Sequence, residues 1–249
     1  MSGPWITTNA NARGAGSPDR HRVLSDLPIR LDHTILRPDA TKADVMRVCD
    51  EATRFGFRVV FVPPCYLSDA SRALVGTGIG VGVPIGFPLG ADTTKAKVAQ
   101  AMEAVQLGAT ELDMVINISR LKSGDYDLVR AEMAEIVEAS PGAGHKVILE
   151  TCYLTQAEKL TACRLAVEAG MDFVKTSTGF GPAGATVEDV RLLREAVAGR
   201  ANVKASGGIR DLKTALAMLE AGADRIGTSA SVTIVEEWLA ARRSRTGIV

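Results

Sequence analysis

Short apolar runs recur along the chain, separated by longer stretches in which apolar positions return every three or four residues. The first pattern suits strands buried on both faces, and the second suits helices that bury one stripe. Eight strand candidates can be marked, at 30–33, 58–62, 79–83, 111–116, 146–150, 172–175, 202–205 and 225–227. Between them lie helical segments with recognisable starts. Thr41 with Asp44, Thr155 with Glu158 and Thr186 with Asp189 fit the hydroxyl-x-x-acid capping pattern, in which side chains satisfy free backbone amides. Val45 and Val48, then Leu160, Cys163 and Val167, then Val190, Leu193 and Val197 form the predicted core stripes. Gly56, Gly108, Gly170, Gly199 and Gly222 stand where helices should close. The segments Glu-Ala-Gly170-Met-Asp and Glu-Ala-Gly222-Ala-Asp look like copies of one strand–helix unit.

Regular alternation of this kind predicts a parallel sheet with helical crossovers, and eight units in about 230 residues match a single (β/α)8 TIM barrel. An open doubly wound sheet is the runner-up. Its dinucleotide-binding form lacks support, because no G-x-G-x-x-G follows the first strand. Residues 1–20, rich in Gly, Asn, Ala and Ser, read as a poorly ordered tail, leaving 21–249 for the barrel.

Composition narrows the function classes. The 249 residues are 46% hydrophobic, enough for a large core, and 29 basic residues balance 29 acidic ones. Such neutrality offers no global field for nucleic acid or an anionic membrane. The four cysteines form no C-x-x-C pair and the three histidines are scattered, so no metal motif appears. The expectation is a cytoplasmic protein with free thiols, no export or membrane segment, no metal and no cofactor. A homodimer or other homo-oligomer is expected on frequency alone.

The candidate chemistry begins with two lysines in matching contexts, Val174-Lys-Thr-Ser-Thr-Gly179 and Val203-Lys-Ala-Ser-Gly-Gly208. Each ends an apolar run and precedes small residues. A lysine crowded by a second cation in a partly dry site loses its proton more easily and becomes a nucleophile towards carbonyls. Phosphate binding or simple snorkelling at a strand end would also explain the pair. Within Glu111-Leu-Asp-Met-Val-Ile-Asn117, strand alternation sets Asp113 apart from its apolar neighbours, so it needs a partner. That partner could be structural, or a lysine with which it relays protons.

Asp32-His-Thr34 ends the first strand, and alternation turns His33 away from Asp32 and Thr34, so His33 reads as a packing residue. Ser206-Gly-Gly-Ile-Arg210 and Gly227-Thr-Ser-Ala230 follow the last two strands, where barrels often bind phosphate on backbone amides. Ordinary tight turns would look the same. The loop Gly86-Phe-Pro-Leu-Gly90 reads as a rigid connection over the barrel mouth.

Taken in order, LDHTIL at 31–36, GFPLGADTTKAK at 86–97, ELDMVINI at 111–118, VKTSTGF at 174–180 and VKASGGIR at 203–210 closely resemble the deoxyribose-phosphate aldolases. The resemblance covers nearly everything from Leu31 to Trp238. It implies reversible cleavage of 2-deoxy-D-ribose 5-phosphate into acetaldehyde and D-glyceraldehyde 3-phosphate, without metal or cofactor. By the same resemblance Lys175 forms the imine, Lys204 perturbs it, and Asp113 relays protons. Asp32, Thr34, Thr178, Gly207, Gly208 and Ser229 fall at substrate or phosphate contacts. The pattern is broken in three places. Ala230 stands where a second serine is common, Phe61 stands where some relatives carry cysteine, and 242–249 lacks a terminal tyrosine. Loss of a thiol at position 61 is expected to lessen modification by reactive aldehydes.

Overall fold

A computed structural model describes residues 26–246 of the chain. The expectation about the 1–20 tail lies outside these residues. Eight parallel strands close into one barrel in sequence order. They are Leu31–Thr34 (β1), Val59–Phe61 (β2), Gly80–Ile85 (β3), Glu111–Val115 (β4), Gly144–Ile148 (β5), Phe173–Lys175 (β6), Asn202–Ser206 (β7) and Arg225–Thr228 (β8). The enclosing helices are Lys42–Phe55 (α1), Leu67–Ala73 (α2), Thr94–Gln106 (α3), Ile118–Lys122 (α4), Tyr126–Ala139 (α5), Gln156–Glu168 (α6), Val187–Val197 (α7), Leu212–Glu220 (α8) and Ser231–Thr246 (α9). The TIM barrel is the fold that the alternating pattern predicts, and the open sheet is excluded by the pairing of β1 with β8.

Strand alternation divides the core into two regions. Leu112, Met114, Val147, Val174, Val203 and Ile226 face outwards and are buried against the helices. Each such side chain contributes about 1.5–3 kcal/mol on leaving water. The intervening positions point into the barrel, and there the chain places charge. Register fixes the neighbours: Asp113 lies beside Lys146, Lys175 beside Lys204, and Lys204 beside Arg225.

The helix starts follow the capping logic with one difference. Thr41 with Asp44 and Thr155 with Glu158 form reciprocal capping boxes. Thr186 accepts from the Asp189 amide, but the Asp189 carboxylate is drawn 2.6 Å from Lys159 Nζ instead of returning to the cap. Gly56 closes α1 in the left-handed region, as predicted. Leu160 departs from its predicted core stripe: it is exposed, and α6 buries Ala162, Cys163, Leu165 and Ala166. The fifth strand starts and ends two residues earlier than its apolar run suggests, because Glu150 takes a left-handed backbone (φ 53°) that cannot continue a strand.

Behind the mouth, Lys97 on α3 and Glu132 on α5 form a fully buried ion pair at 2.6 Å, and Lys97 also donates to the Val115 carbonyl at 3.0 Å. The Lys97 stem occupies the space that a Cβ on Gly86 would fill. Gln100 accepts from the Gly86 amide at 2.8 Å. The loop over the mouth is thereby anchored from underneath, which gives a physical basis to its expected rigidity.

Candidate active site

Asp113 is the hub of the barrel interior. Its Oδ2 accepts from both Lys175 (2.8 Å) and Lys204 (2.7 Å), and its Oδ1 lies 3.1 Å from Lys146 Nζ. Lys204 also approaches Asp32 Oδ2 at 2.5 Å. Arg225 bridges Asp32 and Glu111, donating at 2.7 Å to each, and Glu111 returns to Lys146 at 2.5 Å. The network therefore joins four cations to three carboxylates. With every group ionised it carries one surplus positive charge.

Burial and neighbours act against one another at each member. Burial favours a neutral Asp113, but the ammoniums of Lys146, Lys175 and Lys204 outweigh it and hold the carboxyl well below its ordinary range. Glu111 behaves alike: burial opposes its charge, yet Lys146 and Arg225 bring it to about 2. Lys204 goes the other way. Burial lowers it to about 8, with Lys175 and Lys146 assisting and Asp113 and Asp32 resisting. Burial also works against the charge on Lys146, but Asp113 and Glu111 prevail and raise it. The surplus proton is thus held least firmly on the side of Lys204.

A cavity of about 380 Å³ opens above this network, at the carboxyl ends of the strands. Of the four interior cations, Lys175 alone lines it; Lys146, Lys204 and Arg225 lie below. Thr34, Thr178, Gly207, Gly208 and Ser229 share its wall with Lys175, so most of the predicted contact residues converge. Asp32 does not join them. It is fully buried and engaged by Lys204 and Arg225, because inward alternation on β1 sends it into the charged interior rather than the cavity. Thr34, beside it, donates to the Asp32 carbonyl at 2.9 Å.

The cavity loops are shaped by backbone requirements. Gly207 has φ 86°, and a Cβ there would lie 2.9 Å from Gly184 Cα; Gly208, at φ 80°, has open space around it. Ser229 is exposed, two residues before α9. Thr178 is more constrained than its sequence suggests. Its amide donates to Glu150 at 3.1 Å, its hydroxyl donates to the same carboxylate, and that hydroxyl accepts from the Phe180 amide at 3.0 Å. The one hydroxyl proton of Thr178 is therefore already committed. Its place on the cavity wall comes from shape and from the remaining lone pair.

His33 meets the packing expectation: Nε2 is 2.7 Å from Glu51 and the ring lies against Phe57. At the mouth Phe87 and Phe180 meet edge to face at 5.2 Å. No group of three or more His, Cys, Asp or Glu among the described residues is arranged to hold a metal ion. Sequence reasoning missed Lys146, Glu111, Arg225 and Glu150. Lys146 carried the signal that exposed the other lysines, a cation inside an apolar strand run, but without a glycine loop after it.

A closed barrel with a cavity-facing lysine, tied through one carboxylate to a second buried lysine, belongs with the barrel aldolases. The comparisons are specific. The profile of the family described as DeoC/LacD family aldolase matches residues 27–235, and the chain belongs to that family. A deoxyribose-phosphate aldolase from Caldanaerobacter subterraneus subsp. tengcongensis is 55% identical over 222 residues, covering 88% of this chain and 96% of the relative. One from Thermococcus gammatolerans is 55% identical over 224 residues, covering 86% and 97%. Among solved structures, one described as "QR15, an Aldolase" superposes with a TM-score of 0.84 at 46% identity, covering 87% of this chain and 97% of its own. The deoxyribose phosphate aldolase of Aeropyrum pernix, described as having a unique tetrameric structure, gives 0.81 at 34% identity, covering 90% and 100%.

Proposed function

We propose that the chain catalyses the reversible cleavage of 2-deoxy-D-ribose 5-phosphate to acetaldehyde and D-glyceraldehyde 3-phosphate through an imine on Lys175. The observation that carries this reading is the shared oxygen. Lys175 and Lys204 both donate to Asp113 Oδ2, and only the first of them reaches the cavity. Lys175 is the nucleophile and Lys204 the neighbouring cation that favours loss of its proton. The family and the names of the relatives support the same substrate class.

The free amine of Lys175 adds to the aldehyde carbon, and uptake of one proton with loss of water gives a protonated imine. Removal of the proton from the C3 hydroxyl then lets the C2–C3 bond break. Its electron pair moves into the imine, leaving an enamine of acetaldehyde and releasing glyceraldehyde 3-phosphate. Protonation of the enamine carbon and hydrolysis restore Lys175. Asp113, working through water with Lys204, moves the protons. Gly207, Gly208 and Ser229 hold the phosphate largely on backbone amides, which offsets the alanine at position 230. Thr34 and Thr178 shape the sugar site.

We further infer a cytoplasmic homo-oligomer. The tetrameric Aeropyrum pernix relative supports the assembly, and among the described residues no helix is long and apolar enough to cross a membrane.

Borohydride trapping with acetaldehyde, followed by peptide mass mapping, tests the central step. The expected adduct is on Lys175 and disappears in Lys175→Leu. Trapping on another lysine, or none, overturns the assignment. Product analysis with a panel of donor aldehydes and ketones separates this reaction from that of a related lyase.

A further inference from the structure

The charged interior rests on an aromatic ring. Phe61 on β2 is 1% exposed, and its ring centroid lies 3.9 Å from Lys204 Nζ, 5.0 Å from Lys146 Nζ and 5.8 Å from Lys175 Nζ. Two glycines make the room. Gly82, the register partner of Phe61 on β3, would place a Cβ 2.4 Å from the ring, and a Cβ on Gly227 would lie 2.9 Å from Lys204 Cε. Neither glycine has a left-handed backbone, so space is what they supply.

Each strand packed around Lys204 contributes an identifiable group. Asp32 comes from β1, Glu111 and Asp113 from β4, Lys146 from β5, Lys175 from β6 together with the Phe173 ring that faces Lys146 and Arg225, and Arg225 from β8, while β2 gives the Phe61 ring that faces Lys204 and β3 gives Gly82. The four cations outnumber the three carboxylates by one. A carboxylate at position 61 would balance that charge but fix the surplus proton in place, and an aliphatic side chain would leave an ammonium uncompensated. An aromatic face attracts a desolvated ammonium without accepting its proton.

We propose that Phe61 is a positioning residue of the lysine cluster, its ring holding the Lys204 ammonium between Asp32 and Asp113 in place of a fourth carboxylate. The proposal rests on the reading of Lys204 as the cation that tunes Lys175. It explains why a ring serves here: Lys204 stays charged and ordered near neutral pH, yet its proton remains mobile.

The test is a pH titration of protein labelled with 13C at the lysine ε-carbon, followed by NMR, with the Lys204 signal identified by its absence in Lys204→Leu. In Phe61→Leu the Lys204 midpoint, near 8 in the parent, is expected to fall by roughly one pH unit, the scale of a desolvated cation–π contact. Should Phe61→Leu fail to fold, 3,5-difluorophenylalanine incorporated at position 61 keeps the ring but weakens its faces, and it should shift the midpoint the same way. An unchanged or raised midpoint overturns the proposal, including the case where only thermal stability falls. Borohydride trapping on the same samples is read separately. A parent that traps no imine removes the Lys175 reading, whereas the NMR midpoint reports on Phe61 whether or not the protein turns over.

Discussion

Replacing Lys204 with leucine removes the cation closest in function to Lys175, and the structure sets the size of the effect. Both ammoniums lie on one oxygen, at 2.8 and 2.7 Å, so their separation is at most about 5.5 Å, the sum of the two distances. At an effective dielectric of about 20 this repulsion is worth about 3 kcal/mol, a factor of roughly a hundred. Asp113 would also attract Lys175 more strongly once its second donor is gone, which adds to the same direction. Imine formation in Lys204→Leu at pH 7 should therefore slow by about a hundredfold, measured as the rate of borohydride-trapped acetaldehyde adduct. The loss should be pH-dependent. Lys204, lowered to about 8 by burial with Lys175 and Lys146 assisting, carries its charge at pH 7 and sheds it above pH 8. The parent therefore loses its advantage as pH rises, and the two rates should converge towards pH 9–10. A deficit that stays constant from pH 7 to 10 would show that Lys204 acts by holding the structure together, and the absence of any deficit would remove it from the chemistry.

The remaining predictions concern the interior charges, the buried pair and the phosphate. Burial opposes the Glu111 charge, but Lys146 and Arg225 lower its carboxyl from 4.5 to about 2 in the folded protein, so its stabilisation is complete above pH 4.5 and disappears as pH falls towards 2. That change is worth about 3 kcal/mol, and denaturant unfolding in the parent should weaken over this window more steeply than in Glu111→Gln; equal slopes would refute the assignment. Lys97→Met leaves Glu132 buried without its cation and should cost about 3–5 kcal/mol in urea unfolding, much of it recovered when Glu132→Leu is added. A double variant no better than the single one would contradict that account. Ser229→Ala should lower kcat/KM about fivefold for deoxyribose 5-phosphate while leaving deoxyribose unchanged, and equal losses on both substrates would take Ser229 out of the phosphate site.

The barrel was legible because its signals are local and repeated. Alternating apolar periods, threonine caps and closing glycines each act within a few residues, and each recurs along the chain. Lys175 and Lys204 were legible for a related reason, since a cation at the end of an apolar run next to glycine is unusual in one short window. The rest of the site depends on register between strands. Nothing near Asp32 in sequence indicates that β8 will bring Arg225 beside it, so Asp32 reads as a cavity residue until the barrel closes. Glu150 is hidden in the same way, because an acid after an apolar strand gives no sign that it will clasp Thr178 across the gap between β5 and β6.

The network missed in the sequence changes the meaning of the residues that were found. Two lysines and one aspartate alone would leave one positive charge, and that surplus could be ascribed to the lysine pair by itself. The wider set adds Lys146 and Arg225 against Glu111 and Asp32, two charges of each sign, so the same surplus persists at the scale of the whole interior. Burial makes each ion costly without partners, and the surplus can be relieved by losing one proton more cheaply than by breaking any pair. Lys146 is held above its ordinary range despite burial by Asp113 and Glu111, and Arg225 remains charged, whereas burial lowers Lys204 to about 8 and makes its proton the removable one. Lys204 shares one carboxylate oxygen with Lys175, and Lys175 faces the cavity. The shared oxygen is therefore a route by which a proton can pass between the buried Lys204 and the amine that meets the aldehyde.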